Sequence, residues 1–181
     1  MEKSINEAIW NQLGASIDML ENAILKCPDE HWDTDIKFWY NVYHCIFWTD
    51  YYLTLEPSTF TPPKPFNFSE FDPSGVMPDK VFSKKELLVY LQHCRDKSHK
   101  LIAELTDELL SKRWVNDHKN YSVVEILLYN LRHIQHHSAQ LNLLLRQKIN
   151  DAPDWVSQAK ATLNNYSSND TSVKASPKPK F

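Results

Sequence analysis

Three segments of the chain begin with the same helix-capping pattern. Ser4, Ser83 and Ser122 are each followed three residues later by a glutamate, and each pair opens a run with apolar residues at helical spacing. In such a pair the serine side chain and the glutamate side chain each accept a backbone amide hydrogen bond at the start of a helix. The chain also has only two glycines, too few for the tight turns of an all-β fold. The sequence therefore predicts a helical protein.

A fourth helix is predicted at residues 37–55, where aromatic residues occur on most sides of the helix. A strand is the alternative for this composition, but the length of the run and its lack of a turn signal favour a buried helix. Residues 56–82 follow, with six prolines that exclude a regular helix and phenylalanines that are too apolar for a disordered linker. We interpret this segment as an ordered crossover, which either only connects two helices or also covers one mouth of a pocket.

Four long helices with one very long connection predict an all-α fold, a four-helix bundle with a Pro-rich crossover between its second and third helices. We expect one domain over residues 1–163 and a disordered tail over residues 164–181, where Ser, Asn, Lys and Pro dominate. Residues 114–120 are expected to form a polar link. We also expect His99 to face solvent and Trp155 to dock on the domain surface. Asp50 is either a carboxylate that supports a buried site or a residue that faces solvent, and we favour the second.

Composition excludes several classes of function. The formal net charge of −3 gives no electrostatic basis for binding nucleic acid or an anionic membrane surface. No apolar run approaches the length of a membrane span, and the first residues lack the apolar centre of a signal peptide. The three cysteines follow no disulfide pattern, which fits a reducing compartment. We therefore expect a cytoplasmic protein with neither nucleic-acid nor membrane partners.

Two histidines lie on the apolar face of the last long helix. His133 and His137 are four residues apart and share the stripe of Ile126 and Leu141, so they should point into the core. Buried imidazoles need hydrogen-bond partners or a metal ion. From this helix alone, a pair of satisfied core histidines and a metal site both remain open. His136 is turned to the side by roughly 60°.

A third histidine, His44, lies in the middle of the predicted aromatic helix. In a four-helix bundle its ring can meet those of the last helix at one internal point. Three imidazoles would leave positions for water or substrate on a metal, which is the pattern of a catalytic site. Zinc, nickel and ferrous iron all suit such donors. Gln140 and His136 could support the ligands from outside, while Tyr43 and Trp48 could line the pocket.

The neighbouring Cys45 is a weaker candidate for a nucleophile. Successive helical residues point roughly 100° apart, so the Cys45 thiol and the His44 ring are not aimed at one atom. We predict a core thiol instead.

The pattern His-x-x-His-His-x-x-Gln at residues 133–140, together with the mid-helix His44, resembles the DinB/YfiT-like superfamily over residues 5–155. The resemblance implies an up-down-down-up four-helix bundle, frequently a homodimer, with a divalent metal held by His44, His133 and His137. Ser138 and Ala139 depart from the Arg-Gly often found there in the family, which leaves the surroundings of the ligands undefined.

Members of that family include thiol-dependent S-transferases and a thiol-dependent isomerase. The resemblance therefore favours a metal-dependent enzyme, an S-transferase or a hydrolase, that acts on a small molecule and uses a metal-activated water or low-molecular-weight thiol. The alternative is a non-catalytic helical bundle that serves as a ligand-binding or dimeric interaction module.

Overall fold

The structure, a computed structural model, describes residues 4–167 of the chain. Within this range it contains the helices α1 (Ile5–Lys26), α2 (Phe38–Tyr52), α3 (Lys84–Ala103), α4 (Asp107–Ser111) and α5 (Val123–Ile149). Two short antiparallel strands, β1 (Arg113–Val115) and β2 (Asn120–Ser122), lie between α4 and α5. The fold is mostly helical, as the sequence predicts. No helix in this range is both long and apolar enough to cross a membrane.

The three predicted capping boxes are all confirmed. Ser4, Ser83 and Ser122 accept a backbone hydrogen bond at α1, α3 and α5 respectively, and the glutamate of each pair accepts one from the serine amide. Helix α2 differs, because it begins after Lys37, which has a left-handed backbone (φ 46°) and makes no side-chain cap. Most of its residues are buried, so tertiary packing stabilises this helix where capping does not.

The four long helices pack around one core. α1 contacts α3 and α5, and α2 contacts the same two helices. The largest fully buried side chains include Trp10 from α1, Trp39, Tyr43 and Phe47 from α2, and Tyr90 from α3. Because α2 packs directly on α5, the aromatic helix and the histidine-bearing helix face each other.

The predicted Pro-rich crossover between α2 and α3 is ordered and packs on the domain. Phe60, Phe66 and Phe82 are each no more than 8% exposed. Phe66 stacks on Tyr90 of α3 with ring centroids 4.3 Å apart. The Tyr43 hydroxyl of α2 donates a hydrogen bond to the Asn67 carbonyl at 3.1 Å. These contacts tie the crossover to the two helices that it connects.

The prediction of a polar link at residues 114–120 is wrong, because β1 and β2 overlap its two ends. Trp114 pairs with Tyr121 across the two strands. The Trp114 side chain is fully buried, and its indole donates a hydrogen bond to the Thr54 carbonyl at 2.8 Å. Because of these two strands, the fold is not purely α-helical as predicted. Strands of three residues are too short to show an alternating pattern in the sequence.

The segment after α5 returns along α1 and α3. The Ala159 amide donates a hydrogen bond to the Asn11 carbonyl at 2.9 Å, and the Tyr166 ring stacks on His99 at 4.3 Å. His99 is thus covered, contrary to the prediction that it faces solvent. Trp155 was expected to dock but is 70% exposed. Of the predicted tail, residues 164–167 are described, and residues 168–181 lie outside the described part of the chain.

Candidate metal centre

The rings of His44, His133 and His137 meet between α2 and α5. Their ring centroids are 4.8 Å apart for His44 and His137, 5.9 Å for His44 and His133, and 4.6 Å for His133 and His137. One nitrogen from each ring can be chosen so that all three lie within 4.8 Å of one another. The two helices therefore bring together the histidines that the sequence singled out.

Several of these ring nitrogens are buried without a hydrogen-bond partner. Among residues 4–167, neither nitrogen of His133 has a partner, and Nδ1 of His137 also lacks one. Unpartnered buried nitrogens are unfavourable in a protein core, so a pair of satisfied core histidines does not describe this arrangement. Free imidazole lone pairs that face one another are what a divalent metal requires, and the residues present fit such an ion.

The electrostatic surroundings keep both histidines of α5 neutral. Burial, together with the neighbouring His137 and His44, lowers the pKa of His133 to about 3. Burial likewise lowers the pKa of His137 to about 4, while a hydrogen bond with Gln140 and the charge of Glu70 act in the opposite direction. Neutral imidazole is the form that binds metal, so these two ligands are ready at physiological pH.

His44 is held from its other side by a carboxylate. Its Nδ1 lies 2.6 Å from Oε2 of Glu70, and the Trp48 indole donates a hydrogen bond to the same oxygen at 3.1 Å. The Glu70 side chain is only 3% exposed, and its Oε1 has no partner. Glu70 comes from a 3₁₀ turn, Ser69–Phe71, within the crossover.

Aromatic side chains surround the three rings. Tyr40 and Trp48 lie 6.5 Å and 6.3 Å from His44 between centroids, and Tyr52 meets His133 edge-on at 5.7 Å. Burial, followed by the nearby Glu70 charge, raises the pKa of Tyr40 to about 12, so its hydroxyl remains protonated. The His44 side chain is 34% exposed, and the centre therefore reaches the protein surface beside this residue.

Four residues were predicted to support the ligands or to line the pocket, and they differ in their contacts with the three histidines. Trp48 contacts both His44 and Glu70, and Gln140 is an exposed residue that interacts with His137. His136 is exposed, with its ring edge-on to His137 at 5.2 Å, and is not part of the three-histidine cluster. Tyr43 is fully buried and bonds to the crossover.

Glu70 was not predicted from the sequence. A lone acidic residue in a Pro-rich connection carries no periodic signal, and its contact with His44 depends on how the crossover folds back. The one available indication was the aromatic content around it, with Phe68 and Phe71 on either side, which predicted that this part of the crossover packs on the domain.

The expectation that Asp50 faces solvent is also wrong. Its side chain is 1% exposed, accepts a hydrogen bond from the Tyr90 hydroxyl at 3.0 Å and lies 2.6 Å from Nζ of Lys97. Burial alone would raise the pKa of Asp50, but hydrogen bonds and charge interactions with His93 and Lys97 outweigh it and hold the pKa below its usual value. This buried network joins α2 to α3 and takes no part in the histidine cluster.

The prediction of a core thiol at Cys45 is confirmed. The residue is fully buried, and burial raises the pKa of its thiol far above the usual value. A thiol that stays protonated is a poor nucleophile.

The family model of the DinB superfamily matches residues 12–141, a range that contains all three clustered histidines. Comparisons with curated proteins and with solved structures found no match.

Proposed function

Because the chain belongs to the DinB superfamily, we propose that it is a metal-dependent enzyme whose divalent ion is held by His44, His133 and His137. One observation carries the proposal: three imidazoles from two helices meet, and within residues 4–167 both ring nitrogens of His133 and Nδ1 of His137 are buried without a hydrogen-bond partner. Three protein ligands of this kind are typical of catalytic rather than structural zinc sites, which have four.

The proposal includes the bundle architecture of the family, in which four helices run up-down-down-up within a domain of residues 1–163. Two observations support it. Each of the four long helices contacts two of the other three, and the longest connection joins α2 to α3. A long connection is needed when two neighbouring helices run in the same direction.

The ligand set suits zinc, nickel or ferrous iron. A divalent ion here would supply Lewis acidity and lower the pKa of a thiol or water that it binds. The side chains around the ion would limit water and leave a route for the substrate. Trp48, Tyr40 and Tyr52 form an aromatic wall that limits water around the three rings. The partial exposure of His44 leaves a route by which a small molecule reaches the centre.

We propose as substrates small molecules, with a low-molecular-weight thiol as co-substrate or water as nucleophile, in an S-transfer or hydrolysis reaction. The family resemblance supports the thiol. A cytoplasmic homodimer completes the proposal.

The first experiment is metal analysis of protein purified without an affinity tag. Wild type should hold close to one divalent ion per chain, and His44→Ala and His137→Ala should lose it while keeping their helical circular dichroism. His136→Ala is the matched control, because His136 is exposed and adjacent to a proposed ligand in the sequence. Retention of the ion by His137→Ala would refute the assignment.

The second experiment separates an enzyme from a binding module. Metal-loaded protein is assayed against a panel of thiols with electrophilic acceptors and against hydrolysable esters and amides. Turnover that disappears with chelation and in His137→Ala supports the enzyme. A protein that binds metal stoichiometrically but shows no metal-dependent turnover across the panel would favour the non-catalytic module.

A further inference from the structure

Glu70 is a buried acid that contacts one of the proposed ligands, yet it comes from a connection between helices. Its side chain is 3% exposed, and its Oε2 lies 2.6 Å from His44 Nδ1 and 3.1 Å from the Trp48 indole nitrogen. Burial of a carboxylate is unfavourable unless donors satisfy it. Both donors, His44 and Trp48, belong to α2 and reach the same oxygen, whereas Oε1 has no hydrogen-bond partner within residues 4–167. Contact with α2 therefore determines where this side chain lies.

The Trp48 contact defines the direction of the His44 hydrogen bond. An indole N–H can only donate, so Oε2 of Glu70 acts as an acceptor. A carboxylate has no hydrogen to donate, so in the contact between His44 and Glu70 the hydrogen lies on Nδ1 of the imidazole. A neutral imidazole that is protonated at Nδ1 has its lone pair on Nε2, and that atom is then free to bind metal.

We propose that Glu70 is a positioning residue, which fixes His44 in the tautomer with the hydrogen on Nδ1 and makes Nε2 its metal-binding atom. The role of Glu70 in metal binding rests on the proposed function, whereas the tautomer of His44 is a property of the metal-free chain. Carboxylates that accept a hydrogen bond from a ligand histidine generally raise metal affinity in this way.

The crossover is built to hold Glu70 in this place. The Phe71 ring lies edge-on to Phe47 at 5.1 Å and packs against Trp48 at 5.4 Å between centroids. On the other side of Glu70, the Tyr43 hydroxyl bonds to the Asn67 carbonyl and lies 3.4 Å from Ser69 Oγ. The long connection thus carries a residue of the metal centre, in addition to joining α2 and α3.

The tautomer is tested on metal-free protein by long-range nitrogen–proton NMR of the histidine rings. Wild type should show His44 protonated at Nδ1, and Glu70→Ala should lose this signature. Glu70→Gln should keep it, because the amide oxygen can still accept the hydrogen bond. Protonation of His44 at Nε2 in wild type would overturn the inference whether or not the protein binds metal.

The effect on the metal is tested by zinc affinity, measured in competition with a chromogenic chelator. Glu70→Ala should weaken binding about 10- to 100-fold, and Glu70→Gln should weaken it less. Asp72→Ala is the control, because it removes an exposed acidic residue of the same crossover that bonds to Ser74 rather than to His44, and its affinity should equal that of wild type. Equal affinity in Glu70→Ala and wild type would overturn the role, as would an equal loss in Asp72→Ala. Absence of zinc binding by wild type would refute the proposed function. The NMR experiment on metal-free protein would still test whether Glu70 fixes the tautomer of His44.

Discussion

Replacement of His133 by leucine should stabilise the metal-free protein. Both ring nitrogens of His133 are buried without a partner, and each unsatisfied polar group costs about 1–3 kcal/mol. Leucine is similar in size and has no polar atom, so the change removes both penalties and adds apolar burial. Part of the gain is lost because leucine differs in shape from a flat ring. We expect a net increase of about 1–3 kcal/mol in the free energy of unfolding.

The assay is urea or thermal unfolding in the presence of a chelator. For a chain of this length each kcal/mol corresponds to a shift in Tm of about 2–4 °C, so His133→Leu should melt about 2–12 °C above wild type. His136→Leu is the matched control, because His136 is exposed and its replacement should change stability by less than about 0.5 kcal/mol.

The same variant should lose its response to metal. With the ion at about 1,000 times its Kd, wild type should gain about 4 kcal/mol, whereas His133→Leu should gain nothing comparable. A His133→Leu protein that is less stable than wild type in chelator would refute the reasoning, because it would mean that the histidine nitrogens are satisfied. Full stabilisation of the variant by metal would refute the assignment of His133 as a ligand.

Three further predictions concern stability. Burial lowers the pKa of His133 to about 3 and that of His137 to about 4, so below its own histidine pKa the unfolded chain binds more protons than the folded chain. The free energy of unfolding of the metal-free protein should therefore be constant above about pH 7 and fall as the pH drops below about 6.5. The fall should be less steep in His133→Leu. An equal pH dependence in the two proteins would contradict this. Asp50→Ala removes the acceptor of the buried Tyr90 hydroxyl and the carboxylate that pairs with Lys97, and should cost about 3 kcal/mol in urea unfolding, while a loss below about 0.5 kcal/mol would show that Asp50 does not join the helices. Tyr166→Ala should cost about 1–2 kcal/mol through lost ring contacts and Trp155→Ala almost nothing, and the reverse order would refute the described docking of this segment.

The long helices could be predicted because their signals are local. The serine–glutamate pairs at Ser4, Ser83 and Ser122 act within one turn of helix, and the sequence contains both partners of each pair. The face occupied by His133 and His137 also followed from helical spacing. Their meeting with His44 needed one further assumption, that α2 and α5 are neighbours, and the family resemblance supplied it.

The remainder of the site depends on contacts between distant parts of the chain. Glu70 reaches His44 across 26 positions, through a connection without regular structure. Asp50 was expected at the surface because nothing near it in sequence shows that Tyr90 and Lys97 will cover it. His99 and Trp155 were assigned wrongly for the same reason, since the path of the segment after α5 decides which of them is covered. No periodic pattern encodes that path.

The proposed function requires one metal ion at the point where His44, His133 and His137 meet. Anomalous X-ray scattering from crystals of zinc-loaded protein locates such an ion. We expect one strong peak per chain, with a ring nitrogen of each of these three histidines about 2.0–2.1 Å away. Zinc bound elsewhere in the chain, with these three rings uncoordinated, would contradict it.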